Sequence, residues 1–249
     1  MCSSDLHPGA AARAGLSSAL LAMHGFSAST RALEAPRGFV QVVSDKRAWN
    51  EVIDELGERF EISFNTYKPF ACGIVIHPSI DAAVQLRERG IVPEQVERIE
   101  LRVHSLVLEL TGKKEPRDGL QGKFSVYHAV AAAIVHGAAG EAQFSDACVR
   151  DPRVIAMRER VSAREDAAIG RTEARVTIRT RDRRAFARHV EHALGTLARP
   201  MSDAQLEAKF RGLAEGVLPP GRMEDVIGLC WQVAALKDAG ALARAAVPQ

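Results

Sequence analysis

The chain has 249 residues, 47% of them hydrophobic and 26% charged, with a formal net charge of +2. That composition excludes wholesale disorder, and with acidic residues interleaved among the arginines and no basic stripe carrying aromatic platforms, it speaks against nucleic acid as a partner. The cysteines, Cys2, Cys72, Cys148 and Cys230, form no CxxC pair, which speaks against a disulfide scaffold, a zinc ribbon or an iron–sulfur cluster and favours a reducing, cytoplasmic home.

No apolar run has transmembrane length, and the opening residues lack a basic region followed by an apolar one, so neither a membrane partner nor a secretion signal is expected. Residues 1–10 put Ser, Asp, His, Pro and Gly in quick succession and look like the inside of a loop cut short or a junction left by truncation. Residues 11–24 predict an amphipathic helix ending at Gly25, residues 29–33 a short helical piece, Pro36-Arg37-Gly38-Phe39 a turn, and residues 49–56 a helix closed by Gly57.

The character changes at Phe60. Residues 60–67, FEISFNTY, alternate like a strand; residues 68–73 follow as a loop, and His77-Pro78 leads into a helix over 79–89, with proline favoured in the first turn. Residues 96–108 alternate with one break in phase and predict a second strand, so a βαβ-like unit is expected. Residues 111–122 are a Gly, Pro and Lys-rich loop. After them GKFSVYHAVAAAIVHGAAG, residues 122–140, predicts a helix capped by Ser125 whose small residues suit burial between layers. Residues 143–148 form a helical turn and Asp151-Pro152 caps a helix to 161. Residues 174–180, ARVTIRT, make a strand with Val176 and Ile178 inward, and residues 186–192 pair back as a hairpin arm. The chain closes with helices over 201–215, capped by Ser202, and 222–236. The fold class is α+β (mixed α/β), with helical flanks around a mixed middle.

Lys68 and His77 bracket a loop that leads into a helix, where fixed positive charge, a titratable imidazole and free helix amides can hold a carboxylate. Lys123 and Phe124 precede the Ser125 cap in the same kind of position. An ordinary loop at Lys68 and a buried connector helix with a solvated lysine satisfy the same patterns. Cys72, close to Lys68, is a candidate nucleophile or a plain buried thiol. His128 and His136 are misaligned on their helix, and His189 and His192 sit in the hairpin arm, so no metal set emerges. GxGxxG, Walker A and GxSxG patterns are absent, which argues against NAD, ATP and α/β-hydrolase chemistry.

The order of landmarks resembles the MmgE/PrpD family, whose activities include 2-methylcitrate dehydratase and cis-aconitate decarboxylase. Leu6-His7-Pro8-Gly9 with Ala11-Ala12 looks like its LHxGxAA segment, residues 15–26 its GLxxALLAxxGF helix, and Pro36-Arg37-Gly38-Phe39 the next landmark. Lys68-Pro69, His77-Pro78 and Ile80-Asp81-Ala82 are similar to KPxxCxxxxHPxIDA, and Gly122-Lys123-Phe124-Ser125 to GKFS; Asp151-Pro152 and Lys209-Phe210 follow in order. The resemblance covers nearly the whole chain and matches the family's C-terminal half.

The resemblance implies a two-lobed, dimeric protein in which residues 1–58 and 198–249 belong to an all-helical domain and 59–197 form an inserted α/β lid. It implies metal-free, cofactor-free dehydration or decarboxylation of a small di- or tricarboxylate in a cleft between lobes. It casts His7 and Lys68 as catalytic, and Lys68, His77, Lys123 and Ser125 as substrate-binding. Two positions depart from the family's pattern: Ser4 stands where relatives have a lysine, and Gly73 where they often carry histidine or arginine. With the N-terminal half absent, the expectation is a fragment or split subunit, inactive alone, completed by a homodimer or by a partner that supplies the missing half. A noncatalytic scaffold subunit and a family epimerase are the alternatives.

Overall fold

A computed structural model describes residues 6–248 of the chain; Cys2 and Ser4 lie outside the described residues. The chain divides into two compact units, residues 1–61 and 62–249.

In the first unit the helices are α1 (Leu6–Met23), α2 (Phe39–Val43) and α3 (Trp49–Ile53), and none of them contains a buried residue. α1 begins earlier than the sequence predicts, so His7, Pro8 and Gly9 are helical rather than part of a loop; proline and glycine are tolerated in a first turn, where the amides have no intrahelical partner. The helical piece predicted at 29–33 is instead a series of turns.

The strand predicted at 60–67 does not form. Glu61–Phe64 winds into a short 3-10 turn, with Phe60 and Ile62 exposed. Alternation produces a strand only where a neighbouring strand takes up its backbone groups, and this stretch has none.

The second unit is a mixed helix-and-sheet structure, which gives the whole chain its α+β class. Its helices are α4 (His77–Glu88), α5 (Ser105–Thr111), α6 (Gly119–Gly122), α7 (Val126–His136), α8 (Asp146–Val149), α9 (Pro152–Arg158), α10 (Asp203–Ala214), α11 (Pro220–Trp231) and α12 (Gly240–Ala245). Its strands are β1 (Val96–Val103), β2 (Val161–Glu165), β3 (Ala174–Thr180) and β4 (Ala185–Val190). They form one sheet in the order β2-β1-β3-β4, with β1 parallel to β2 and antiparallel to β3, and β3 antiparallel to β4.

The break in phase seen in the sequence of β1 is a bulge between Val96 and Arg98. It lets Val96 and Ile99 both face the core, after which Leu101 and Val103 keep strict alternation. The strand stops at Val103 rather than running on to 108, because the His104 ring Nδ1 accepts the Leu106 amide at 3.1 Å and so caps α5. Similarly, the helix after Asp151 ends at Arg158, and Val161 opens β2, a strand the sequence reading passed over. The expected βαβ-like unit with a strand at 60–67 is therefore replaced by a parallel pair, β1 and β2, whose crossover contains α5 through α9.

One sheet face packs on helices. α7 is buried from Val126 to Ile134, and its alanines let α4, α5 and α9 approach closely. The other face is solvated and charged: Arg179 of β3 pairs across to Glu100 of β1 at 3.3 Å, and Arg98 pairs with Glu100 along β1 itself at 3.1 Å. α10, α11 and α12 gather a smaller core of Ala214, Leu218 and Val226.

Candidate functional site

Residues 67–73 form a strap that holds Lys68 and Cys72. Three backbone hydrogen bonds fix its path: Tyr67 N–H donates to the Gly195 carbonyl at 3.1 Å, Ala71 N–H to Ala139 at 3.2 Å, and Gly73 N–H to Lys123 at 3.3 Å. Gly195 makes the first of these possible. Its φ is +89°, and a Cβ there would stand 2.1 Å from the Tyr67 carbonyl oxygen and 3.0 Å from Pro69 Cδ.

From the strap the chain turns through Ile74–Ile76 into α4, with His77 as its first residue and Pro78 in the first turn. His77 is 3% exposed, and the Phe70 ring meets it edge-on at 5.3 Å. Its Nε2 is buried and has no hydrogen-bond partner among the described residues. Burial, above all, pulls the imidazole down to about 4; the Cys72 backbone and Asp81 act in the opposite direction, while Lys68 and Lys209 add to the lowering. At neutral pH the ring is therefore uncharged, with an unused polar atom in a positively charged setting.

The candidate nucleophile does not have the character of a thiolate. Burial pushes the Cys72 thiol up to about 12, against the opposing influence of Lys68 and Lys123, so at neutral pH it is a protonated, buried group.

Lys68 is exposed and makes no ion pair among the described residues. Lys123 is half-buried, and its Nζ pairs with Glu141 Oε1 at 2.7 Å, so an incoming carboxylate would compete with that partner. The structure thus brings Lys68, Cys72, His77 and Lys123 together through the strap and the turn before α7.

Ser125 is placed differently. It is 0% exposed, and its hydroxyl accepts the His128 amide at 3.1 Å as the cap of α7. His7 lies in the other unit, exposed near the start of α1.

The sequence reading left three further residues out of the site. Ser79, in the first turn of α4, is fully buried, and its Oγ lacks a partner among the described residues. Asp81, one turn beyond His77, is also buried: Oδ1 accepts Gln85 Nε2 at 2.8 Å, and Oδ2 accepts the Leu194 amide at 2.9 Å and the Arg199 guanidinium. Lys209 of α10 reaches His77 electrostatically. The signals available beforehand were the polar residues His77, Ser79 and Asp81, set between Pro78 and Ile80 in an otherwise apolar stretch, and the Lys209-Phe210 landmark.

His128 has a plainer place. Its Nε2–H donates to the Gln143 carbonyl at 2.8 Å, while Nδ1 is buried without a partner among the described residues. No cluster of His, Cys, Asp or Glu fit to hold a metal occurs among the described residues, and no described helix is long and apolar enough to cross a membrane.

Residues 70–233 match the MmgE/PrpD C-terminal domain and residues 1–52 the MmgE/PrpD N-terminal domain. Cis-aconitate decarboxylase of Mus musculus is 22% identical over 260 residues, covering 96% of this chain and 51% of that protein. Its Homo sapiens counterpart is 22% identical over 255 residues, covering 95% of this chain and 51% of that protein. The chain spans about half the length of the curated relatives it matches.

Proposed function

We infer the chemistry from family membership: this chain belongs to the MmgE/PrpD family, and its site best fits a lyase acting on a small di- or tricarboxylate such as cis-aconitate or 2-methylcitrate. The observation that carries this is His77, buried and neutral with Nε2 unpartnered, in the field of Lys68. Decarboxylation breaks a C–C bond whose electron pair stays on the carbon skeleton until a proton arrives. Dehydration removes a proton from carbon and expels a hydroxyl group. Proton removal adds negative charge to an already anionic substrate, and loss of neutral CO2 shifts the carboxylate's charge onto the carbon skeleton, so cations must stand where the charge develops and a neutral ring must be ready to exchange a proton or a hydrogen bond.

On this reading Lys68 binds a carboxylate and meets the developing charge, and His77 and Lys123 hold the remainder of the substrate. Ser125 contributes by setting the start of α7. His7 keeps the catalytic role that the family resemblance gives it. Residues 1–58 and 198–249 would be parts of one helical domain with 59–197 as its lid. A homodimer, or a partner supplying the half that the longer relatives possess, would complete a cytoplasmic enzyme that is inactive as this chain alone.

One observation favours a second reading, a noncatalytic partner subunit. Gly73 has φ −60°, and a Cβ there would make only ordinary contacts, 3.7 Å from Thr111 Cγ2 and 3.8 Å from the Lys123 carbonyl oxygen. Neither conformation nor space demands glycine, so a side chain that could serve in the site is missing without a structural reason.

The test assays the purified chain on cis-aconitate, 2-methylcitrate and citrate, alone and mixed with a separately produced segment equivalent to the first half of the relatives. The expected result is carboxylate binding that Lys68→Ala abolishes, no turnover alone, and turnover in the mixture. Ordinary turnover by the chain alone overturns the claim of inactivity. Absence of carboxylate binding overturns the site, and binding without turnover in the mixture selects the noncatalytic partner.

A further inference from the structure

Edge strand β4 carries a charge on its inner side. In the ladder with β3, Arg188 stands opposite Val176, between the pairs Phe186 with Ile178 and Val190 with Ala174. Directly opposed residues share a face, and Val176, Ile178 and Ala174 are all buried. Arg188 therefore projects to the helix-covered face, where its Nε is buried with no hydrogen-bond partner among the described residues. A guanidinium N–H held away from water without an acceptor is costly, and it points to an absent acceptor.

A cavity of about 350 Å³ opens beside it, within the size range of small-molecule sites. Its lining includes Gln85 of α4, Arg188, Glu191, His192 and Arg199. Arg199 is fixed at this wall by its contact with buried Asp81, whose other oxygen takes Gln85. Both oxygens of Asp81 are thus engaged, while the remaining nitrogens of Arg199 make no hydrogen bond among the described residues. Lys68, His77 and Lys123 do not line the cavity.

We propose that this cavity is a second oxyanion site, separate from the Lys68 and His77 cluster, which takes a small carboxylate or phosphate between Arg188 and Arg199. Planar guanidinium groups match the paired oxygens of such ligands, and Arg199 is already oriented by Asp81. Glu191 on the same wall weighs against high ligand charge, so phosphate should bind more tightly than citrate. The competing explanation for Arg188 is an inward charge that discourages pairing at an open sheet edge.

The full chain, 15N-labelled, is titrated with sodium phosphate and separately with citrate at constant ionic strength made up with chloride, following the Arg188 and Arg199 Nε–H signals. The site predicts a saturable shift of both signals with at least one of the two anions. Arg188→Gln should weaken the binding read at Arg199 at least about tenfold, Arg188→Lys by less, and Lys68→Ala not at all. Thermal melts confirm that each variant remains folded. Saturation by phosphate, by citrate or by both identifies the source of the oxyanion. A shift that chloride reproduces, a failure to saturate with either anion, or an affinity unchanged in Arg188→Gln overturns the proposal and leaves Arg188 as an edge guard. Loss of binding in Lys68→Ala overturns it as well, since the anion would then sit in the first site. Failure of the lyase reading leaves these outcomes unaffected.

Discussion

His77 ties site chemistry to stability through a single proton. Its pKa is about 4 in the folded chain and about 6.5 when unfolded, so the unfolded state binds the proton first as pH falls. The contribution is fully present above about pH 6.5 and drains away toward pH 4; by linkage it amounts to roughly 3 kcal/mol. His77→Asn, which keeps a polar side chain but cannot titrate, should therefore lose less stability than wild type between pH 7 and pH 4 in urea denaturation. Parallel pH profiles for the two proteins would show that the ring is not buried in its neutral form. Two glycines of the second unit, Gly73 and Gly122, make a contrasting pair at the same scale. Gly73→Ala should change stability by no more than about 0.5 kcal/mol, since its Cβ would meet nothing closer than 3.7 Å. Gly122→Ala should cost on the order of 1–3 kcal/mol, because a Cβ there would come within 2.9 Å of Val149 Cγ2 and 3.1 Å of the His128 ring. Chemical denaturation of both variants measures the difference.

Among the elements, the strap over residues 67–73 and the cap of α7 position the cations. Gly195 is needed both for its positive φ and for the room it leaves Tyr67 and Pro69. Gly195→Ala should accordingly displace the strap and weaken carboxylate binding at Lys68 while the sheet survives, as the Lys68 and Val176 resonances in a carboxylate titration would show. The α7 cap is separable from it. Ser125→Ala removes the acceptor of the His128 amide and should destabilise the chain by about 1 kcal/mol, read as a lowered denaturation midpoint with an unchanged slope. The same element accounts for the fate of His128: in a helix buried from Val126 to Ile134 the ring must find its partners internally, and the Gln143 carbonyl supplies one at Nε2.

For the molecule as a whole, the two units differ in kind. Residues 62–249 contain the main core, from Ile76 in the turn before α4 and Ile80 of α4 through Ile99, Leu101 and Ile178 of the sheet. In α1, α2 and α3 no residue is buried, and Leu16, Leu20, Leu21, Met23 and Phe26 expose their side chains. Helices of that length and exposure gain little from propensity alone. Amide exchange should therefore be fast throughout residues 6–61 and slow in β1, β3 and α7, and limited proteolysis should cut first within residues 6–61. Protection in α1 comparable to that in α7 would contradict this. Adding the segment equivalent to the first half of the relatives should raise protection in α1 if it supplies the missing cover.

The sequence by itself determined the elements whose signals are local. Ser125, Ser202 and Asp151 mark helix starts through their own side chains, Val176 and Ile178 mark a strand by period two, and the spaced landmarks led to the family. Lys68, His77 and Lys123 were legible as candidates because a loop, a helix start and a charge are written in adjacent residues. Tertiary structure decided what depends on partners distant in the chain. The apolar alternation in 60–67 finds no neighbouring strand and coils, whereas 161–165 becomes a strand because β1 lies beside it. The neutral state of His77, the inert thiol of Cys72 and the inward turn of Arg188 likewise follow from burial and register. These are set by what packs against a residue, and side-chain identity alone carries no record of that.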